Sequence, residues 1–221
     1  MQLNYRHNWN LNPQEAISLQ KAMATEVMSR RPFDILKVRT VAGVDVSVKN
    51  NMSQAAVVVM TFPDLKPIET VLANQPTPFP YIPGLLSFRE GPVLVEAFEK
   101  LQHIPDVFIF DGMGTIHPRR IGIASHMGLW LQKPTVGCGK THFIGEHEEP
   151  GEQRGAWSEL RDKGELIGAV LRTRDAVKPV YISPGHLADL ASAVDLIMRC
   201  VTKYRLPDPI RMAHHAAGEF S

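Results

Sequence analysis

Short apolar runs in the first third of the chain predict three successive strands. They are rich in β-branched residues and cover Val41–Val48, Gln54–Phe62 and Ile68–Ala73, the last being the weakest. Because neighbouring strands joined by short connections pair antiparallel, this pattern predicts a meander.

From residue 87 onward, segments with helical periodicity alternate with short apolar runs. Helices are predicted over Ser87–Gln102 and Gly122–Leu131, and strands over Val107–Phe110 and Thr135–Cys138. Such alternation is typical of parallel strands joined by crossover helices. The remaining segments predict two strands and a closing helix, over Glu165–Arg172, Val180–Ser183 and Asp189–Tyr204.

The N-terminal part of the chain carries the signals of a helix start. Asn12 suits the N-cap, Pro13 the first helical position, and Glu15 follows, so a helix is predicted from Pro13 to about residue 30. Together these elements predict an α/β fold whose mixed sheet, part antiparallel meander and part parallel, is flanked by helices.

Composition indicates an ordinary globular protein of 221 residues in one domain, residues 1–221, with 44% hydrophobic and 21% charged residues. The longest apolar run, Ala55–Met60, is too short to span a membrane, and the N-terminus lacks a signal-peptide core. Two cysteines make no disulfide framework, so a cytoplasmic location is expected. A net charge of +1 excludes nucleic-acid binding through bulk charge alone.

The strand Val107–Phe110 is followed by the chain's most informative polar segment. Asp111 closes the strand, two glycines follow, and His117, Arg119 and Arg120 come next. The carboxyl end of a buried strand is where α/β folds place their chemistry, and arginine suits phosphate. Alternatively, Asp111 only begins a turn, as aspartate often does before glycine.

Two further carboxylates lie on separate predicted elements. Asp45 interrupts an apolar strand, where it is either paired, metal-bound or simply outward-facing. Glu90 could complete a capping box with Ser87, but Pro92 favours a helix that starts later and leaves Glu90 free. Oxygen ligands from Asp45, Glu90 and Asp111 suit Mg²⁺ or Mn²⁺. Lys140 follows a strand and can approach the same sheet edge, or it is an ordinary surface lysine.

The segment Pro80-Tyr81-Ile82-Pro83 is stiff, since each proline fixes its own backbone and restricts the residue before it. A stiff apolar strip can wedge between base steps, and an aromatic ring can stack on an extruded base. The alternative is a rigid loop that packs Tyr81 against the core.

These segments together resemble the endonuclease V family of deaminated-base repair nucleases, bacterial type. The similarity covers roughly Asp34 to His214 and is carried by three motifs: Gly43-Val44-Asp45-Val46, the run from Pro80 through Glu90, and Asp111-Gly112-Met113-Gly114 with the run from His117 through Gly122.

The resemblance implies a ribonuclease H-like fold and a Mg²⁺-dependent enzyme, with Mn²⁺ as a substitute. It implies DNA containing hypoxanthine as substrate and hydrolysis of the second phosphodiester bond 3′ to the lesion, leaving a 3′-hydroxyl and a 5′-phosphate. Single-stranded DNA or RNA are further possible partners, and a monomer is expected.

The resemblance also implies roles for individual residues. Asp45, Glu90 and Asp111 match the metal-binding carboxylates, and Lys140, His117 and His214 match catalytic positions near the phosphate or metal. Which of His214 and the adjacent His215 faces the site stays open. The segment Pro80–Pro83, called the wedge below, matches the family's strand-separating segment. Substrate-binding roles fall on the wedge with its following glycine, the two glycines after Asp111 and an arginine: Pro80, Tyr81, Ile82, Pro83, Gly84, Gly112, Gly114 and Arg119.

The sequence is also compatible with three other functions. An RNA-directed relative would cut inosine-containing RNA in preference to DNA. A non-catalytic lesion-binding module would not need the carboxylate trio. A phosphotransferase for small phosphates would need a nucleotide-cradling motif such as a P-loop, and the chain contains none.

Overall fold

The computed structural model describes residues 1–219 and places all eight of their strands in one mixed sheet. The strand order is β3-β2-β1-β4-β5-β8-β7-β6. The last two residues of the predicted domain, 220 and 221, lie outside the described part. The strand bounds are β1 Thr40–Lys49, β2 Met52–Thr61, β3 Pro67–Pro76, β4 Val107–Phe110, β5 Thr135–Gly139, β6 Trp157–Asp162, β7 Glu165–Leu171 and β8 Val180–Pro184.

The sheet combines the two predicted kinds of pairing. Strands β1, β2 and β3 form the antiparallel meander, and β1, β4 and β5 run parallel to one another. The antiparallel strands β8, β7 and β6 extend the sheet beyond β5. The predicted ribonuclease H-like mixed sheet is therefore confirmed.

Helices cover both faces of the sheet. Helices α2 (Leu86–Lys100) and α3 (Ile123–Leu131) pack with Phe108 and Phe110 on one face. Helices α4 (Leu190–Arg199) and α5 (Asp208–Gly218) pack with Val107 and Ile109 on the other. The strictly alternating faces of β4 explain why its four residues are all buried. Helix α1 spans Pro13–Ala24.

Two predicted helices are shorter than expected. Helix α1 has the predicted capping box, in which Asn12 and Glu15 cap one another's amides, but it ends at Ala24 and not near residue 30. Helix α4 ends at Arg199 and not at Tyr204, because the Cys200 carbonyl accepts its hydrogen bond from the Asp208 amide.

One strand and one α-helix were missed by the sequence pattern. Strand β6 lies at the sheet edge, and Leu160 is its one buried side chain, so it lacks an apolar alternation. Helix α5 begins with Asp208 and Pro209, a recognisable helix start, but Ile210 and Met212 are its only large apolar residues, so its apolar pattern is weak. The missed helix matters for function, because it carries His214.

Candidate active site

The pairing of two parallel strands brings Asp45 and Asp111 side by side. Val44 of β1 is in register with Phe110, the last residue of β4, and each of the two is followed by an aspartate. The Asp111 amide donates to the Val44 carbonyl at 2.9 Å and continues the ladder by one bond. Both carboxylates are largely buried, with 11% and 12% of their side chains exposed. The alternative in which Asp111 merely starts a turn is therefore insufficient.

Helix α5 adds a histidine to this aspartate pair. The His214 ring donates from Nδ1 to Asp45 Oδ2 at 2.6 Å. Among residues 1–219, one set of metal-capable groups has its ligand atoms within 4.8 Å of one another, and it consists of Asp45, Asp111 and His214. The adjacent His215 instead contacts Glu219 at 3.1 Å, so His214 is the histidine that faces the site.

Glu90 reaches the same region from α2. The helix starts at Leu86 and includes Pro92, so the expectation of a start at Pro92 was wrong. The alternative capping box was wrong too. Ser87 lies within α2 and is not its N-cap, and its hydroxyl forms a hydrogen bond with His126 of α3. A proline this near a helix start costs one hydrogen bond, which the buried face of α2 offsets.

Electrostatics couples Glu90 to the aspartates, although it lies outside the close set of three ligands. Burial first, then the charges of Asp45 and Asp111, raise the pKa of Glu90 to about 8. Burial and the Asp111 charge also raise the pKa of Asp45, and the His214 hydrogen bond opposes this. The ammonium of Lys140 forms an ion pair with Asp111. Buried carboxylates that repel one another favour a bound cation.

An apolar cavity of about 190 Å³ is lined in part by Gly112, the residue that follows Asp111. Tyr81 and Ile82 lie at its wall with Gly84, and Gly112 and Met113 line another side. Tyr81 is 70% exposed, so it does not pack against the core as the alternative interpretation proposed. The remaining lining includes Leu86, Ser87, Ile123 and Phe143.

A single carbonyl anchors the end of the wedge segment. The Gly84 oxygen accepts from Gln20 Nε2 at 3.1 Å, His117 Nε2 at 2.9 Å and Arg119 Nη2 at 2.7 Å. Gly84 has a φ of +81°, a conformation that favours glycine. The three donors therefore fix the backbone that follows Tyr81 against the body of the protein.

This network shows what two predicted site residues contact. The second ring nitrogen of His117 accepts from the Arg119 amide at 3.1 Å, so both its nitrogens are engaged. The Arg119 guanidinium also donates to Gln20 Oε1 at 2.6 Å. Gln20, which the sequence analysis did not single out, completes this network from α1.

The predicted substrate residues are not all brought to the cavity. Gly112 lines it, but Gly114 is buried behind it, where its amide donates to Ser183 Oγ at 2.8 Å. Its missing side chain makes room for the Pro184 carbonyl. Pro80 is exposed and does not line the cavity, whereas Pro83 does.

Arg205 supports Lys140 and was not given a role from the sequence. Its guanidinium donates to the Lys140 carbonyl at 2.6 Å and to the Pro179 carbonyl at 2.8 Å. These bonds hold the chain that follows β5 beside Asp111. No local pattern marks such a contact, because it joins residues far apart in sequence.

The buried state of His117 predicts a loss of stability in acid. Burial lowers the pKa of His117 to about 4, whereas the unfolded chain keeps an ordinary value near 6.5. The unfolded state therefore binds more protons between these values, and the free energy of unfolding falls as the pH drops. From pH 7 to 5 we expect a loss of about 2 kcal/mol from His117.

Denaturant titrations at pH 7 and pH 5 measure this effect. The variant His117→Gln keeps a donor for Gly84 but does not titrate, so its loss should be smaller by that amount. An equal loss in both proteins would contradict the assignment. Buried His126, whose pKa is also lowered by burial, contributes in the same direction in both.

Comparisons with known proteins agree with this geometry. A family model described as Endonuclease V matches residues 21–215. The chain is 49% identical over 220 residues to Endonuclease V of Trichormus variabilis, with 99% of each chain covered. The crystal structure of Endonuclease V from Bacillus subtilis matches with a TM-score of 0.93 at 30% identity, covering 98% of this chain and 95% of that one.

A third comparison includes nucleic acid. Endonuclease V of Ciona intestinalis, in complex with a 24mer DNA containing an inosine followed by a ribo-adenosine, matches with a TM-score of 0.80 at 26% identity. The match covers 92% of this chain and 95% of that one. Within residues 1–219, no helix is long and apolar enough to cross a membrane. The family match, the 49% identity over nearly the full length and the shared fold together establish that this chain belongs to the endonuclease V family, nucleases that hydrolyse phosphodiester bonds.

Proposed function

We propose that this protein is a DNA repair endonuclease that acts on hypoxanthine, the deaminated form of adenine. It hydrolyses the second phosphodiester bond 3′ to the lesion and leaves a 3′-hydroxyl and a 5′-phosphate. The observation that carries the proposal is that Asp111 belongs to a buried carboxylate pair while the next residue, Gly112, lines an apolar cavity with an exposed tyrosine at its wall. We further propose that it works as a monomer and as a single catalytic domain.

The residues present fit a hard divalent cation. Asp45 and Asp111 offer oxygen ligands at close range. Their negative charges repel each other, and a bound cation would offset this repulsion. His214 supplies a nitrogen, which Mn²⁺ accepts readily, and Glu90 would ligate directly or through water. When bound, Mg²⁺ or Mn²⁺ would polarise the target phosphate and lower the pKa of an attacking water.

The protein's own groups position the reaction. The Lys140 side chain is one-third exposed, so its ammonium can turn from Asp111 towards a phosphate oxygen. The His214 side chain is 63% exposed and holds Asp45 through Nδ1. Because both nitrogens of His117 are engaged, we assign it the positioning of Gly84 in place of the predicted catalytic position near the phosphate.

Lesion selection is assigned to the wedge and the cavity. Tyr81 would stack in the duplex while the damaged base turns into the cavity beside Gly84 and Gly112. A deaminated base pairs weakly, so turning it out of the duplex costs less than for a normal base. Arg119 then serves recognition indirectly, through its bond to Gly84.

Replacing the wedge should impair lesion recognition more than cleavage chemistry. We expect Tyr81→Ala to lower the preference for hypoxanthine DNA over normal DNA by about tenfold or more, since base stacking on an aromatic ring contributes about 1–3 kcal/mol. Competition binding of the two duplexes measures this. Tyr5→Ala removes another exposed tyrosine outside the cavity and is the matched control. An unchanged preference in Tyr81→Ala would contradict the wedge assignment.

A second candidate is cleavage of inosine-containing RNA. In the Ciona intestinalis complex, a ribo-adenosine follows the inosine in the bound DNA. The binding site of that protein therefore admits a 2′-hydroxyl at this position. Four matched substrates separate the two functions: DNA and RNA of one sequence, each with and without inosine. Faster cleavage of inosine DNA supports the proposal, and cleavage of inosine RNA alone would replace it.

A further inference from the structure

Two histidines and a serine form a hydrogen-bonded row that ends at the cavity. His7 comes from the N-terminal segment, His126 from α3 and Ser87 from α2. The Nε2 atoms of the two histidines lie 2.8 Å apart, and His126 Nδ1 lies 2.8 Å from Ser87 Oγ. His126 is fully buried and Ser87 is 2% exposed. Neither bond belongs to the carboxylate site, so the row requires its own explanation.

The chemistry of the partners fixes the direction of every bond in the row. His7 Nδ1 lies 2.7 Å from the Asn8 carbonyl, which can only accept, so this nitrogen carries the proton. In the neutral ring, His7 Nε2 is then the acceptor, and His126 Nε2 must donate to it. His126 Nδ1 is consequently bare and accepts from the Ser87 hydroxyl.

The histidine rings are held in place by aromatic packing. His7 meets Trp9 edge-on with 4.4 Å between ring centroids, and Trp130 edge-on at 5.2 Å. The ring centroid of His126 lies 5.3 Å from that of Phe88. Burial lowers the pKa of both histidines, which keeps them neutral above neutral pH. The direction of the row is therefore preset before any ligand binds.

The row determines what the cavity offers a ligand. The Ser87 hydroxyl proton is used by His126, so only lone pairs of Oγ are left to face the cavity that Ser87 lines. A serine is ordinarily both donor and acceptor, but here it is an acceptor alone. Such an oxygen can accept a hydrogen bond from a ligand N–H, whereas a ligand atom that offers only a lone pair would be repelled by it.

We propose that Ser87, oriented by His126 and His7, is a specificity-determining residue that accepts a hydrogen bond from the protonated ring nitrogen of a deaminated purine. Deamination of adenine converts N1 from a bare acceptor into an N–H donor, which is the change that a fixed acceptor distinguishes. The inference rests on the proposed function, since it takes the cavity as the base-binding site.

The test compares two bases in wild-type protein and two variants. Duplexes carry either hypoxanthine or unsubstituted purine, whose N1 is bare, and dissociation constants are measured at pH 8 with Ca²⁺ to prevent turnover. In Ser87→Ala we expect hypoxanthine DNA to bind about tenfold more weakly and purine DNA to bind unchanged. In His7→Phe, which keeps the aromatic packing but removes the acceptor for His126, we expect a smaller loss in the same direction.

The outcomes separate this inference from the function on which it rests. Equal weakening for both bases in Ser87→Ala, or no weakening for either, would overturn the role of Ser87. An unchanged preference in His7→Phe would overturn the directed row. If wild-type protein does not prefer hypoxanthine DNA to undamaged DNA, the proposed function itself fails. Circular dichroism melting of each variant verifies that it is folded.

Discussion

Asp45→Asn is expected to abolish cleavage while much of the binding to hypoxanthine DNA is kept. Asparagine has nearly the same shape but no charge, so it weakens the cation site that Asp45 and Asp111 form. A bound cation contributes several kcal/mol of transition-state stabilisation, and each 1.36 kcal/mol changes a rate tenfold, so we expect a loss of about a thousandfold or more. The wedge and cavity do not involve Asp45, so lesion recognition should persist.

Single-turnover cleavage and binding, measured on the same duplex, provide the two readouts. Asp195→Asn is the matched control, since Asp195 is an exposed aspartate of α4 paired with Arg199. It should retain wild-type activity. If Asp45→Asn lost binding and cleavage to the same degree, the role of Asp45 would be structural and the cation site would have to lie elsewhere.

Gly43→Ala is expected to have the second large effect, by separating α5 from the sheet. A methyl group at Gly43 would overlap the carbonyl of Pro209 and crowd the Ile210 amide. These are backbone atoms of a helix that packs closely on β1, so they cannot rotate away. Overpacking of this kind costs about 3 kcal/mol, which corresponds to a melting temperature lower by about 10 °C.

The same substitution should lower activity beyond its effect on folding. Helix α5 carries His214, whose bond to Asp45 depends on the close approach of the helix to β1. We expect cleavage well below the melting transition to fall by about tenfold, as for loss of a bond to a charged group. Gly218→Ala, at the end of the same helix with open space around it, should change neither property. A stable and fully active Gly43→Ala would contradict the packing described.

The predictable part of the fold is the part with strong local signals. The four apolar residues of β4 and the β-branched runs of β1 and β2 determine their strands within one or two residues. Edge strand β6 and helix α5 were missed because packing against the rest of the protein stabilises them, and their own patterns are weakly apolar. The early end of α4 depends on a bond between Cys200 and Asp208, which no local pattern encodes.

The candidate site divides in the same way. The residue types of Asp45, Glu90 and Asp111 predicted a shared oxygen-ligand site, and the stiffness between two prolines predicted that Tyr81 is presented. That Asp45 and Asp111 lie side by side follows from the pairing of β1 with β4, which the sequence analysis did not predict. The contacts of His117 with Gly84, of Arg205 with Lys140 and of Ser87 with His126 join residues at least 33 positions apart. Residue types alone cannot specify such partners, so these positioning roles emerged only from the structure.

Mapping the cut in a duplex with a single hypoxanthine tests the account most directly. Each strand is labelled at either end, and the protein is incubated with Mg²⁺ or with EDTA. The account predicts one nick with Mg²⁺, at the second phosphodiester 3′ to the lesion, with a 3′-hydroxyl that a polymerase can extend, and no nick with EDTA. Cutting that persists in EDTA, or a nick at another bond, would contradict it.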